Sequence, residues 1–196
     1  MKTIKIKIIA LFIMGFTLAY SSVAQVKYTL NQSESSLKIT GTSSMHDWEM
    51  QAADLQSNLV ATTEDGHLVE INEVVFSCPA EKILSDNSIM DGKTHDALKA
   101  EDYPAINFTM KSIEPLDHSE NSFSGELNGI LKIAGVSKTV TIAFTGFVKD
   151  GQHIHTNGIV PLRMSDFGIK PPTAMFGALK TGDKVKLHYD FLFRKE

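Results

Sequence analysis

Along most of the chain, apolar and polar residues alternate one by one. Leu37 and Ile39 are interleaved with Ser36, Lys38 and Thr40, and Ile106, Phe108 and Met110 with Asn107, Thr109 and Lys111. Val140, Ile142 and Phe144 alternate with Thr139, Thr141, Ala143 and Thr145. Val185, Leu187, Tyr189, Phe191 and Phe193 alternate with Lys184, Lys186, His188 and Asp190. Successive side chains of a strand point to opposite faces. Each run therefore builds one apolar row and one polar row, as half-buried antiparallel strands do. The pattern predicts strands near 26–30, 35–50, 53–62, 67–78, 105–114, 122–134, 137–149, 152–164 and 183–194. Glu64-Asp65-Gly66, Ala134-Gly135-Val136 and Asp150-Gly151 carry hairpin-turn chemistry between them.

Two stretches break the rhythm. In residues 80–103 the apolar positions are too sparse for a strand. A helix is expected from Asp91 or Gly92 through Ala100, with Ala97 and Leu98 facing inward, and Tyr103-Pro104 returns the chain to extended geometry. Residues 164–180 are irregular, with Pro171-Pro172 and two exposed-looking aromatics, Phe167 and Phe176. Eight or more long antiparallel strands fit a barrel or a sandwich. Strands of about 10–13 residues span roughly 33–43 Å, long for an immunoglobulin-like sandwich and comfortable for a tall, tilted barrel. Periodicity alone leaves open whether the interior is filled or hollow.

Length and composition sharpen the picture. The 196 residues make one domain plus a short appendage. Lys2, Lys5 and Lys7, the apolar run Ile8 to Tyr20 and the small residues of Ser22-Val23-Ala24 read as a secretory signal peptide over residues 1–24. The run is short for a spanning helix, which needs about 20 apolar residues. Residues 25–196 are then the mature domain, placed in the periplasm or secreted. Removing the leader takes three of the 19 basic residues and none of the 23 acidic ones, leaving a net charge of −7. This argues against nucleic-acid binding, which needs a basic face, and against a polybasic membrane-surface protein. Cys78 is the single cysteine, so no intramolecular disulfide and no cysteine-based metal cluster forms. Within Val-Val-Phe-Ser-Cys it reads as a small, half-buried strand residue.

Candidate chemistry is sparse. His153 and His155 share one strand face, but Ile154 between them claims the core side, leaving both imidazoles toward solvent. His46-Asp47 with Ser43 or Ser44 could in principle make an acid–base pair and a nucleophile. Adjacent strand residues point to opposite faces, however, and no Gly-x-Ser-x-Gly elbow is present. No catalytic residue, metal site or cofactor is expected. His46 reads instead as part of a polar rim, with Trp48 packing over the core.

Several segments in order resemble a known family. These are Ser35-Ser36-Leu37 to Gly41, followed by His46-Asp47-Trp48; Ser88-Ile89-Met90-Asp91 with His95-Asp96-Ala97-Leu98-Lys99-Ala100; and Tyr103-Pro104-Ala105-Ile106-Asn107-Phe108. To these are added Gly125-Glu126-Leu127 through Gly135-Val136-Ser137-Lys138, and Asp166 to Pro172 with Met175-Phe176-Gly177. The chain thus resembles the YceI-like family of exported bacterial lipid- or polyisoprenoid-binding proteins, and its His46-Asp47-Trp48 version marks a subgroup. The resemblance implies an all-β fold: an extended, eight-stranded antiparallel lipocalin-like barrel with a short helical crossover. It implies a long apolar lipid, a polyisoprenoid or an isoprenoid quinone, held in an internal tunnel for carriage or storage. Leu37, Ile39, Trp48, Ile106, Phe108, Met110, Leu127, Ile142, Phe144, Leu187, Tyr189 and Phe191 are the expected walls. His46, Asp91, Phe167 and Phe176 are the expected rim, with Lys170 or Lys180 available to an anionic head. A homodimer and a transient membrane contact are compatible with this reading. The alternative is a filled barrel acting as an interaction or structural protein of the cell envelope.

Overall fold

The structure is a computed structural model that describes residues 24–64, 67–119 and 122–196. The expected leader up to Val23, and Asp65-Gly66 of the first hairpin link, lie outside the described residues. The chain runs through β1 (Ala24–Leu30), β2 (Ser36–Ser43), β3 (Trp48–Ala52), β4 (Gln56–Glu64), β5 (His67–Pro79) and β6 (Ile83–Leu84) to a helix, α1 (Ser88–Leu98). It continues through β7 (Ala105–Ser119), β8 (Ser122–Ile133), β9 (Val136–Lys149), β10 (His153–Arg163), β11 (Thr173–Ala174) and β12 (Leu179–Lys195). Among the described residues no helix is long and apolar enough to cross a membrane.

All pairings are antiparallel. The order β1-β4-β5-β7-β8-β9-β10-β12 closes into a ring of eight through Tyr28 opposite Lys195 and Leu30 opposite Phe193. β2, β3 and β6 continue β1, β4 and β5 beyond a break in each. β2 takes over the edge of β12 (Leu37 opposite Tyr189), β3 pairs with β2 (Ile39 opposite Met50), and β6 pairs with β3 (Ala52 opposite Ile83). The result is the closed eight-stranded barrel with one short helix that the sequence resemblance implied. A sandwich is thereby excluded.

The expected elements shift in places, each for a local reason. The single strand expected over 35–50 is two, β2 and β3, joined by a tight hairpin. The Ser43 hydroxyl donates to the His46 carbonyl at 2.8 Å and accepts from the Met45 and His46 amides at 3.2 Å. Such a serine turn competes with the sheet ladder and ends the strand. The helix begins at Ser88, earlier than Asp91, because the Asn87 side chain accepts from the Ile89 and Met90 amides as an N-cap. It ends at Leu98, where Lys99 turns left-handed at φ 54°. The Ala134-Gly135 turn has positive φ at both residues (48° and 80°), as a tight hairpin requires.

The two ends of the barrel differ. The lower end carries the β7–β8 and β9–β10 hairpins and both ends of the described chain, and is filled by Tyr28, Leu30, Phe123, Ile154 and Phe193, all buried. The upper end carries the β2–β3 hairpin, α1 and the 164–178 segment. His95 Nε2 on α1 bonds the Ile83 carbonyl at 3.1 Å, and Thr94 Oγ1 donates to Met50 Sδ at 3.4 Å, which fixes the helix against β6 and β3. On the outer wall His153 and His155 take separate carboxylates, Asp150 at 2.9 Å and Asp190 at 2.7 Å. No group of three metal-competent side chains occurs among the described residues.

Glycines inside the strands govern where the aromatic rings lie. Gly41 stands opposite Trp48, Gly125 opposite Phe144, Gly146 opposite Phe123, and Gly158 opposite Tyr189. A Cβ built on Gly158 would sit 2.5 Å from Tyr189 Oη, and one on Gly129 would sit 2.4 Å from the Phe108 ring. Each ring lies down on backbone that carries no side chain, so it hugs the wall rather than projecting across the lumen. Gly129→Ala puts its methyl against both Phe108 and the Thr109 carbonyl, 2.6 Å away. Overpacking of this kind costs about 1–3 kcal/mol, so the melting temperature read by circular dichroism is expected to fall by roughly 2–12 °C. Gly92→Ala, inside α1 and with open space at its Cβ, is expected to stabilise by about 0.5–1 kcal/mol; equal effects of the two would contradict the packing account.

Candidate functional site

The barrel encloses a cavity of about 480 Å³ that reaches the upper end, within the range of about 300–1,000 Å³ usual for small-molecule sites. Its wall is almost entirely apolar. Of the expected wall residues, Leu37, Ile39, Trp48, Ile106, Phe108, Leu127, Ile142, Phe144, Leu187, Tyr189 and Phe191 line it. Ile106, Leu127, Ile142, Leu187, Tyr189 and Phe191 belong to the inward rows yet are only half-buried, because the surface they retain faces the hollow. Aromatic rings meet within one strand and between separated ones: Tyr189 packs against Phe191 of the same strand, β12, at 5.2 Å, and Phe76 of β5 stacks on Phe191, three strands round the ring, at 5.7 Å and 16°. Burial raises the Tyr189 phenol above its ordinary range. The Cys78 thiol, fully buried in the same wall rather than half-buried, is pushed up to about 12. At neutral pH it is a protonated, apolar wall atom.

Four expected positions are corrected or refined. Met110 does not line the cavity. It is half-buried against the packed core, where the register of β7 against β8 slips between Met110 and Ser112. Asp91 is not at the rim either: its carboxylate accepts from the Ser85 amide and hydroxyl, both at 2.7 Å, and pins the entry to α1. Phe167 is no exposed rim residue. The 3-10 turn Met164–Phe167, capped by left-handed Gly168, folds its ring inward to 3 % exposure and into the cavity wall. Phe176 stands fully exposed outside the lumen.

His46 lines the mouth, as its place in the β2–β3 hairpin dictates. Its Nδ1 donates to the Asp47 backbone carbonyl at 2.7 Å, and the Ser43 hydroxyl is held within its own turn. The His46 ring, a serine hydroxyl and a carboxylate therefore do not meet. Trp48 closes over Gly41, its indole N–H donating to the Thr42 carbonyl at 3.0 Å.

Sequence reasoning missed a large share of the wall. α1 contributes Ile89, Met90, Thr94 and the expected Ala97 and Leu98; β3 and β5 contribute Met50, Val74 and Phe76; and the segment after β10 contributes Met164 and Ile169. The strand glycines were a legible signal for the ring-bearing wall. The inward turn of residues 164–169 carried none. The charged residues of the lining are two cations, Lys93 and Arg163, while Lys170 and Lys180 are not part of it. Arg163 also reaches Asp183 at 3.7 Å. Asp183 accepts from the Ser165 hydroxyl and amide, and these bonds hold its carboxyl below the ordinary range.

Known proteins share this architecture. No curated protein sequence matches the chain. Among solved structures, a polyisoprenoid binding domain from Saccharophagus degradans, implicated in plant cell wall breakdown, superposes with a TM-score of 0.67 at 11% identity, over 87% of this chain and 99% of that one. BcnA of Burkholderia cenocepacia gives 0.64 at 16% identity, over 83% and 98%. The YCEI protein of Campylobacter jejuni gives 0.56 at 20% identity, over 97% and 99%. At these identities the likeness is one of fold. The YceI-like domain pattern matches residues 27–193, from within β1 to within β12. With the barrel, its helical crossover and this span of match in hand, the chain belongs to the YceI-like domain family.

Proposed function

We propose that the protein is an exported binding protein that holds a long apolar lipid, a polyisoprenoid or isoprenoid quinone, inside the barrel as carrier or store. The observation that carries this reading is the hollow itself: about 480 Å³ bounded by half-buried aliphatic and aromatic side chains. The side chains of such a wall leave apolar surface facing the lumen. A hydrocarbon chain supplies contacts for that surface and needs no polar partner along its length. The name of the Saccharophagus degradans relative, a polyisoprenoid binding domain, supports the same ligand class. Burial contributes about 0.8 kcal/mol per methylene, so each five-carbon unit contributes a few kcal/mol gross, from which the ordering of a flexible chain subtracts. The protein acts by binding and not by catalysis, in keeping with the His46 arrangement. The filled-barrel alternative is disfavoured by the cavity.

Organic extraction of protein purified without detergent, followed by mass spectrometry, is expected to yield an isoprenoid-type lipid; bare protein from several preparations would end the carrier reading. Leu127→Glu, which sets a carboxylate in the mid-wall, is expected to lower that lipid at least tenfold, since burying an unpaired charge beside hydrocarbon is costly. Leu127→Phe separates the hollow from the filled barrel. In a close-packed core the extra volume costs about 1–3 kcal/mol, whereas here the lipid-free melting temperature is expected to hold or rise while lipid uptake falls. As to export, N-terminal sequencing of the exported protein is expected to begin at Gln25. A chain retaining Met1 in the membrane would contradict the leader assignment.

A further inference from the structure

We propose that the rim of the cavity docks onto the surface of a phospholipid bilayer, so that cargo passes between membrane and barrel without crossing water. This rests on the lipid-carrier reading and adds to it the surface through which the barrel is loaded. Three of the exposed large apolar side chains stand on three separate segments that ring one opening. Met45 tips the β2–β3 hairpin at 71 % exposure, Ile89 lies in the first turn of α1 at 72 %, and Phe176 is fully exposed in the turn between β11 and β12. Each segment also supplies cavity lining: His46 and Trp48 from the first, Ile89 itself from the second, Thr173 and Leu179 flanking the third. The apolar rim is thus continuous with the apolar lumen.

The segments are held in place rather than trailing. The Ser44 amide donates to the Lys180 carbonyl at 2.9 Å, and the Lys180 amide donates to Ser44 Oγ at 3.1 Å, so the hairpin is tied to the start of β12. Phe176 stands in the turn that the pairing of Thr173 opposite Lys180 closes, in the left-handed region at φ 55°, which an aromatic residue rarely adopts. The charges at the opening complement phosphate. Lys93 and Arg163 are the charged residues of the lining, and Arg163 shares its charge with Asp183 at 3.7 Å, a residue outside the lining. Projecting apolar tips around a pore, with cations between them, match the headgroup–acyl boundary, where apolar side chains insert and cations meet phosphate. A protein partner would call for a contiguous face, and these tips are separated by the opening. The hairpin also carries Asp47, so insertion of apolar side chains is the main attraction and zwitterionic lipid is the appropriate probe.

The test is flotation of the purified exported protein with phosphatidylcholine vesicles, with bound lipid measured on the same samples. Wild type is expected to float. Met45→Glu combined with Phe176→Glu, neither of which lines the cavity, is expected to cut the floating fraction by about tenfold while leaving the bound lipid unchanged. Val69→Glu combined with Ile159→Glu, exposed apolar sites on the barrel side, is expected to float like wild type. A wild type that carries lipid but stays with the soluble fraction, or is captured only by another protein, overturns the docking surface and leaves the carrier reading standing. So does a rim variant that floats as well as wild type. Wild type that floats but carries no lipid supports the surface and removes the carrier reading instead.

Discussion

β12 closes the barrel, and the other features of the fold depend on that closure. Along one edge it pairs with β10 from Arg163 opposite Lys184 to His153 opposite Arg194. Along the other it pairs first with β2 and then, past the break at residues 31–35, with β1. One 17-residue strand therefore joins both ends of the sheet. Closure removes the free edges of the eight-strand ring, the two-residue β6 keeping one beyond its pairing with β3, and sets a fixed inside and outside for every alternating residue. Were β12 unpaired on either edge, the inward row Val185, Leu187, Tyr189 and Phe191 would have no lumen to face.

Closure at eight strands leaves a lumen that side chains can just fill, and here they fill it unevenly. At the lower end Tyr28, Phe123, Ile154 and Phe193 are buried in the packed core. Higher up, the rings opposite glycine lie against the wall, and the centre stays open. A packed interior approaches crystal density. A hollow of about 480 Å³ forgoes those dispersion contacts and leaves its lining dependent on whatever occupies it. The same glycines that keep the lumen open thus make the barrel a receptor for an apolar guest. The helix, the β2–β3 hairpin and the 164–178 segment then restrict access to one end.

Much of this was legible in the sequence, because the period of two survives wherever one strand face meets lumen and the other meets water. The inward rows of β2, β8, β9 and β12 follow directly from it. The breaks were less legible. Ser43 and Asn87 redirect the backbone through side-chain hydrogen bonds, and such local competition leaves hydrophobic periodicity unchanged. Met110 keeps its place in the inward row, opposite Gly129, but lies against packed core instead of the cavity, and how far a hollow reaches along a row is a property of the whole barrel rather than of one strand. Phe167 looked exposed because its neighbours are irregular, and only the three-dimensional path of the 164–168 turn carries it inward. α1 reads as a weak helix since its lumen-facing residues include small and polar ones such as Ala97 and Thr94, suited to covering an opening rather than packing a core.

The central claim is that the hollow is occupied by one apolar molecule in the working protein. Native mass spectrometry of the exported protein, purified without detergent or added lipid, measures this directly. The account predicts the mass of residues 25–196 plus a single guest, lost on collisional activation to leave the bare chain. A spectrum showing only the bare chain, from cells that make the lipid normally and under conditions that preserve apolar complexes, would contradict it.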